Sequence, residues 1–165
     1  MNDKAEKGKQ SSIDGFAHEH IVVGILMKKF QNVSLVDLPL SSYDIIIARK
    51  LAGENKEDII RAQVKTSKKS ISFTGGTRGG VDRTYKSGIK TYTQSTKTSD
   101  VIIGIEPLKE DRYNLYFVPT LLVEIWKTKS KSIKKLEKLK NNYDILENCK
   151  NRSYILDKAK QYNLI

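Results

Sequence analysis

The feature that most constrains the fold is a run of three isoleucines at positions 45–47. A run of β-branched residues like this one is typical of a strand that is buried on both faces of a sheet. The polar segment 50–57 then favours a turn, and the apolar residues of 59–66 favour a second strand. We therefore expect residues 43–49 and 59–66 to form a β-hairpin inside a largely buried sheet.

The rest of the chain supplies one helix before this hairpin, and strands and a helix after it. Residues 14–31 carry apolar side chains at helical spacing, and residues 33–38 favour a short strand. Residues 101–106 and 113–119 predict two strands joined by a turn, and residues 132–147 predict an amphipathic helix. This order predicts an α/β fold with a mixed central β-sheet flanked by helices.

Length and composition favour a single soluble domain. The chain has 165 residues, and we expect a flexible tail over residues 1–11 and one domain over residues 12–165. The longest apolar run, 20–27, is too short to span a membrane, and the polar N-terminus does not resemble a secretory signal. A single cysteine and two histidines exclude an internal disulfide and argue against a zinc site. We expect a cytoplasmic protein with no membrane partner.

Positive charge is concentrated in two zones. The first basic zone, residues 65–97, has eight basic residues and one acid, and the second basic zone, residues 127–140, has seven lysines and one acid. These zones account for the whole net charge of +11, because the remaining residues carry a small negative charge. Such clustering is typical of a surface that binds nucleic acid. The alternative is a solvated, lysine-rich surface with no nucleic-acid partner, and charge alone leaves both open.

One constellation of polar residues lies in and beside the predicted hairpin. Asp44 begins the first strand, and Gln63 and Lys65 lie in the second. Because side chains alternate along a strand, Gln63 and Lys65 point to the same face, and an in-register hairpin brings Asp44 beside them. Glu19, on the face of the preceding helix, adds a second carboxylate. We expect the four side chains to converge on one patch.

These groups suit the hydrolysis of a phosphodiester. Mg²⁺ prefers oxygen ligands, so Glu19, Asp44 and Gln63 are the candidate metal ligands. A metal in such a site polarises the phosphoryl oxygen, while Lys65 orients or helps to deprotonate the attacking water. The alternative is an ordinary hairpin in which Asp44 closes a turn and the two residues of the second strand face solvent.

The pattern Glu19…Asp44…Gln63-x-Lys65 resembles the PD-(D/E)xK nuclease superfamily in its Gln-x-Lys variant. Such variants occur among Holliday-junction-resolvase-like proteins and among restriction and homing endonucleases. Gly15, which stands shortly before Glu19 and is followed by an apolar helix, is also similar to the opening of those proteins.

The resemblance covers roughly residues 13–119 and implies a restriction-endonuclease-like core, with residues 127–165 as a basic C-terminal helical region. Two positions depart from the pattern. Tyr43 stands where the superfamily has proline, and Gln63 stands where it has an acid. The second departure bears on metal affinity, because an amide binds Mg²⁺ more weakly than a carboxylate does.

The function that the resemblance implies is that of a metal-dependent DNA endonuclease. Glu19, Asp44, Gln63 and Lys65 are then the catalytic residues, with Mg²⁺ as the cofactor and Mn²⁺ as its substitute. Restriction or homing activity is favoured over Holliday-junction resolution, and a non-catalytic nucleic-acid-binding protein on the same fold is the competing class. One site cuts one strand, so a homodimer or a higher homo-oligomer is expected if both strands are cut.

The first basic zone continues directly from the Gln-x-Lys motif, so it is the favoured DNA-facing surface. Its glycine-rich segment 75–80 predicts a flexible loop. Either this loop brings backbone N–H groups and Arg78 against a phosphate or a guanine edge, or it is a mobile surface loop without DNA contact. The second basic zone either contacts backbone phosphates or keeps a helix soluble, and the sequence leaves both open. The candidate DNA-binding residues are Lys68, Lys69, Arg78, Arg83, Lys86 and Lys90.

Overall fold

The computed structural model describes residues 3–38, 41–51, 53–76 and 91–165. Within these residues the chain forms α-helices, one 3₁₀ helix and β-strands. In chain order they are α1 (Asp3–Phe30), β1 (Asn32–Leu35), β2 (Ile45–Lys50), β3 (Glu57–Thr66), β4 (Ser70–Ser72), β5 (Thr74–Gly75), β6 (Tyr92–Thr93), β7 (Val101–Pro107), β8 (Tyr113–Pro119), α2 (Thr120–Trp126), β9 (Ser130–Ser132), the 3₁₀ helix (Ile133–Leu139), α3 (Tyr143–Glu147) and α4 (Arg152–Gln161).

Five of the strands form one sheet in the spatial order β1-β2-β3-β7-β8. Strands β3 and β7 run parallel and the other neighbours run antiparallel, so the sheet is mixed. Strands β2 and β3 form the predicted hairpin, with Ile45 opposite Ala62 and Ile47 opposite Ile60. The predicted α/β fold, a mixed central sheet flanked by helices, is confirmed.

Helix α1 covers β1, β2 and β3. Its residues Val22 and Leu26, one helical turn apart, are fully buried, as are Ile45 and Ile47 of β2. Two of the three isoleucines therefore lie in the core, because a helix closes the face of the strand that carries them, whereas Ile46 on the other face is half-buried.

Two short ribbons, β4–β9 and β5–β6, lie beside the sheet. Ile71 of β4 packs over Gly104 of β7, where an added Cβ atom would come within 2.4 Å of Ile71 Cδ1, so glycine leaves the necessary room. Gly104 lies opposite Lys65 in the pairing of β7 with β3, and paired residues point to the same face. The β4–β9 ribbon therefore lies on the face of the sheet that carries Lys65.

Helix α1 begins earlier than the sequence pattern indicated. We expected the helix to start at residue 14, after a tail; in the structure residues 3–11 belong to α1. Residues 9–13 are exposed, so their sequence lacks the apolar spacing that reveals a packed helix.

The predicted helix over 132–147 is wrong in its detail. The segment forms a 3₁₀ helix followed by the short α3. Leu136 and Leu139 are both fully buried, and residues three apart share a face in a 3₁₀ helix. Asn141 then adopts a positive φ of 51° and its side chain accepts a hydrogen bond from the backbone N–H of Leu115 at 2.8 Å. This contact with β8 ends the helix before α3 begins.

Helix α2 was not predicted from the sequence, whereas α4 lies in the C-terminal region 127–165 that was expected to be helical. Asn151 caps α4, where its side chain accepts a hydrogen bond from the backbone N–H of Tyr154 at 3.2 Å. Across the described ranges, no helix combines the length and the apolar character needed to cross a membrane. Four of the predicted DNA-binding residues lie outside the described residues: Arg78, Arg83, Lys86 and Lys90.

Candidate active site

The candidate active site lies where β2 begins and β3 approaches its end. The backbone N–H of Asp44 donates to the carbonyl of Ala62 at 2.9 Å. In the adjoining ladder Ile45 lies opposite Ala62, so the next position along places Asp44 beside Gln63. The hairpin register thus decides which side chains meet.

Asp44 and Gln63 are in direct contact. Asp44 Oδ2 accepts a hydrogen bond from Gln63 Nε2 at 2.5 Å and another from the backbone N–H of Val64 at 2.8 Å. Only 6% of Gln63 is exposed, so its amide needs partners inside the protein. Two donors on one oxygen hold the carboxylate in a single orientation.

A cleft of about 740 Å³ opens at this point of the sheet. Glu19 of α1, Asp44, and Gln63 and Lys65 of β3 all line it, together with Ser72 of β4. The structure therefore brings together the four side chains that the sequence pattern singled out, from a helix, a loop and a strand.

A hydrogen bond connects helix α1 to β3 at the helical turn that carries Glu19. The Nδ1 atom of His18 shares a hydrogen bond with Thr66 Oγ1 at 2.8 Å. The His18 ring also meets Tyr113 edge-to-face, with 6.1 Å between the ring centroids. Since Glu19 follows His18 directly, these contacts hold its part of α1 against the strand that carries Lys65.

The oxygen donors of the cleft fit a hard cation such as Mg²⁺. Mg²⁺ is commonly bound by one or two carboxylates together with water and substrate phosphate, and Glu19 and Asp44 provide such a pair. No cluster of three or more His, Cys, Asp or Glu side chains suited to a metal ion occurs in the described part of the chain. The Gln63 amide turns its nitrogen to Asp44, and its Oε1 accepts a hydrogen bond from Gln94 Nε2 at 2.5 Å.

Gln94 is the residue of this site that the sequence analysis missed. It is buried, and its Oε1 accepts hydrogen bonds from the hydroxyls of Thr98 at 2.5 Å and Ser99 at 3.0 Å. Residues 94–99 had no clear secondary-structure pattern, and a buried glutamine has no periodic signal of its own. The run of hydroxyl residues after Gln94 was the available hint, because such residues commonly satisfy a buried amide.

The structure joins the two basic zones. Strand β4 follows Lys68 and Lys69, and it pairs with β9, which lies in the second basic zone. The backbone N–H of Ile133 donates to the carbonyl of Lys69 at 3.1 Å, so the start of the 3₁₀ helix is bonded to the first zone. The described start of the first zone, residues 65–76, is therefore joined to the second zone beside the cleft, although many residues separate them in the sequence.

Most lysines of the fully described second zone, residues 127–140, have no acidic ion-pair partner. In the described ranges, the second zone contains one ion pair, between Lys140 and Glu137. Burial lowers the pKa of Lys131, and the nearby charge of Lys135 lowers it further. The Lys131 ammonium also lies 3.6 Å from the centroid of the Trp126 ring. This concentration of unneutralised positive charge suits a polyanion.

No protein-family model matches this chain, and no curated protein matches it by sequence. Among solved structures, the chain is similar to that of the bacterial homing endonuclease I-Ssp6803I, with a TM-score of 0.52 and 16% sequence identity. The similarity covers 73% of this chain and 76% of the other. The chain is therefore a mixed α/β protein whose fold is similar to that of a bacterial homing endonuclease.

Proposed function

We propose that the protein is a Mg²⁺-dependent DNA endonuclease that hydrolyses phosphodiester bonds, with Mn²⁺ as an alternative metal. The observation that carries the proposal is the convergence of Glu19, Asp44, Gln63 and Lys65 in one cleft of the sheet. Two carboxylates, an amide and an ammonium are the groups that metal-assisted phosphodiester hydrolysis uses.

Each residue has a role that follows from its chemistry. Glu19 and Asp44 would hold the cation, with Gln63 adding a neutral oxygen. Bound Mg²⁺ supplies positive charge that polarises a phosphoryl oxygen. Lys65 offers N–H donors that orient the attacking water and offset negative charge developing on the phosphate. Val64, through its backbone N–H, keeps Asp44 aligned for this work.

The surface around the cleft supports DNA as the substrate. In this proposal Lys68, Lys69 and the lysines of the second basic zone meet phosphates that flank the one being cut. The pairing of β4 with β9, which connects the two zones, supports this assignment. We extend the DNA-binding assignment to Arg78, Arg83, Lys86 and Lys90 of the first zone. Because one site cuts one strand, we propose a homodimer or a higher homo-oligomer for double-strand cleavage.

The kind of endonuclease is a finer part of the proposal. The fold similarity to a protein described as a homing endonuclease favours homing over restriction or junction resolution. The similarity is a likeness of fold at 16% identity, so the assignment rests on this fold together with the cleft chemistry.

A specific observation favours a second candidate, a non-catalytic DNA-binding protein on the same fold. Gln63 stands where the PD-(D/E)xK pattern has an acid, and its oxygen faces Gln94 in place of the cleft. A site decayed by loss of that acid would retain the basic surface and the fold while losing cleavage.

Purified protein incubated with plasmid DNA separates the two candidates. The nuclease proposal predicts nicked or linear product with Mg²⁺ or Mn²⁺ and none with EDTA. Asp44→Asn is the active-site variant, and Asp157→Asn, at an exposed position of α4, is the matched control that removes the same charge elsewhere. Binding without cleavage under all metal conditions, with the wild type folded, would establish the second candidate.

A further inference from the structure

Gln94 lies outside the proposed catalytic set but is hydrogen-bonded to it. Its Nε2 donates to Gln63 Oε1 at 2.5 Å and to the backbone carbonyl of Ser42 at 3.1 Å. Its Oε1 accepts from Thr98 Oγ1 at 2.5 Å and from Ser99 Oγ at 3.0 Å. Gln94 is 1% exposed, so these partners replace water for both ends of its amide.

This chain of hydrogen bonds has a direction. Because Gln94 presents its nitrogen to Gln63, Gln63 turns its oxygen to Gln94 and its nitrogen to Asp44. A ligand for a cation held by Asp44 must do the reverse and turn its oxygen to that side. A half-turn of the terminal amide group exchanges oxygen and nitrogen with little change in shape.

Gln63 cannot make this half-turn alone without a penalty. Its nitrogen would then face the nitrogen of Gln94, and two buried donors would meet without an acceptor. If Gln94 turns as well, its oxygen accepts from Gln63 and its nitrogen faces Thr98 and Ser99. Their hydroxyl groups accept as well as donate, and the Thr98 hydroxyl keeps the carbonyl of Ser95 as an acceptor at 3.0 Å.

The carbonyl of Ser42 gives the pair a resting orientation. A carbonyl oxygen only accepts, so it favours the arrangement in which the nitrogen of Gln94 faces it. The backbone of Gln94 is held separately, since its N–H donates to the carbonyl of Phe73 at 2.8 Å. A turn that exchanges the oxygen and nitrogen of its side-chain amide therefore does not require the backbone of Gln94 to move.

We propose that Gln94 is a positioning residue whose amide turns together with that of Gln63. In the resting orientation Gln63 donates to Asp44; with a cation in the site Gln63 presents its oxygen, and Gln94 supplies the acceptor that the displaced nitrogen needs. The inference rests on the proposed function, because it requires a metal site at Asp44.

The test is an NMR titration of the ¹⁵N-labelled full chain with Ca²⁺ in the absence of DNA. The side-chain NH₂ signals are assigned by their loss in Gln63→Glu and Gln94→Met. Before titration, the Gln63 NH₂ group should show a proton contact with the backbone N–H of Val64, because both donate to the same carboxylate oxygen. With Ca²⁺ this contact should disappear, and the Gln94 NH₂ group should gain contacts with the side chains of Thr98 and Ser99.

Ca²⁺ affinity gives a second readout. Gln94→Met keeps the side-chain length without its polar atoms, and it should weaken Ca²⁺ binding by about tenfold, a typical cost of losing a partner of a metal ligand. Gln161→Met, at an exposed position of α4, is the matched control and should bind Ca²⁺ with the wild-type affinity. Circular dichroism checks the fold of both variants. If Gln94→Met does not fold, the Ca²⁺-dependent loss of the contact between Gln63 and Val64 still tests the proposal, because the Gln63 signal is assigned with Gln63→Glu.

Three results would each overturn the proposal. The Gln63 contact with Val64 could persist at saturating Ca²⁺, the change could be confined to Gln63, or none of these signals could change with Ca²⁺. Mg²⁺-dependent plasmid cleavage by the same wild-type preparation is measured in parallel. A preparation that cleaves DNA but shows no coupled turn refutes the positioning role of Gln94 and leaves the proposed nuclease function intact.

Discussion

The β2–β3 hairpin and the β7–β8 pair belong to one sheet, yet their side chains do different work. In β7, residues 101–105 are all buried, and in β8 residues 115–119 are all buried. In β3, Ile60, Ala62 and Val64 point to one face, whereas Arg61, Gln63 and Lys65 point to the other. The β7–β8 pair at the edge of the sheet therefore contributes mainly to the core, whereas one face of the neighbouring strand β3 carries polar side chains.

The polar face of β3 is compatible with a packed sheet because its buried groups have partners. Arg61 Nη2 meets Asp100 Oδ1 at 2.9 Å, and hydrogen bonding to Asp100 raises the pKa of Arg61. Gln63 is bonded to Asp44 and Gln94. Burial by itself therefore does not distinguish the core from the candidate site. The two differ in whether the buried group is apolar or is polar with a specific hydrogen-bond or ion-pair partner.

The largest expected effect separates the two regions by function. Lys65→Ala should lower the rate of Mg²⁺-dependent plasmid cleavage by roughly 10³-fold or more, because a positioned cation is lost from the transition state. DNA binding and the thermal midpoint should stay close to those of the wild type. The control in the core pair is Ile103→Val, which should keep the activity per folded molecule. Cleavage by Lys65→Ala at the wild-type rate would contradict the assigned role.

A second variant tests the core side of the comparison. Ile103 of β7 is fully buried, so Ile103→Ala should lower the free energy of unfolding by about 2–5 kcal/mol, through lost burial and the cavity that remains. Ile46 of β2 is half-buried, and Ile46→Ala should cost less. Urea denaturation measures both values. Equal losses would mean that β2 and β7 contribute to the core in the same way.

The joined basic surface makes a prediction about salt. Changing Lys134, Lys135 and Lys138 to Gln should reduce the salt dependence of DNA binding, with the log–log slope falling in magnitude by roughly 3 if all three meet phosphates. The matched control removes three exposed lysines elsewhere, Lys50, Lys56 and Lys160. Affinity is measured over a salt series without Mg²⁺. Identical slopes for the two triple variants would show that the second basic zone does not contact DNA.

Single arginine variants rank the two basic zones against each other. Arg78→Ala or Arg83→Ala should weaken DNA binding more than any one lysine of the second zone, because arginine engages a phosphate or a guanine through two parallel hydrogen bonds. The same salt series measures this. The opposite ranking would make the second zone the principal DNA-facing surface.

The smallest expected effect concerns the far end of the hairpin. Burial raises the pKa of Asp58, but hydrogen bonds from Lys150 and Arg49 outweigh it and the net pKa is lowered. Because the pKa of Asp58 is lower in the folded state, its carboxylate stabilises the folded state at pH values above the ordinary aspartate pKa. This stabilisation is lost as the pH falls through the pKa of the folded state. Asp58→Asn should cost about 1–2 kcal/mol at pH 7 and much less near pH 3, as measured by urea denaturation. A cost independent of pH would contradict this account.

Much of the candidate site could be predicted because its geometry is local. Alternation along β3 puts Gln63 and Lys65 on one face whatever surrounds the strand, and a two-stranded hairpin has few registers that bury the isoleucines of β2. Asp44 then follows from the register. Glu19 was placed near the site from the spacing of apolar residues in α1, because this spacing shows which face of the helix packs on the sheet.

The strands of the hairpin, the polar face of β3 and the concentration of charge in two zones follow from the amino-acid sequence alone. The contact of Gln94 with Gln63, 31 residues away, and the pairing of β4 with β9, which connects the basic zones, depend on the three-dimensional fold. The reason is physical: periodicity is a property of one segment, whereas these contacts depend on how distant segments pack. The room that Gly104 leaves for Ile71 positions the β4–β9 ribbon on the sheet, and no pattern within either segment encodes that fit.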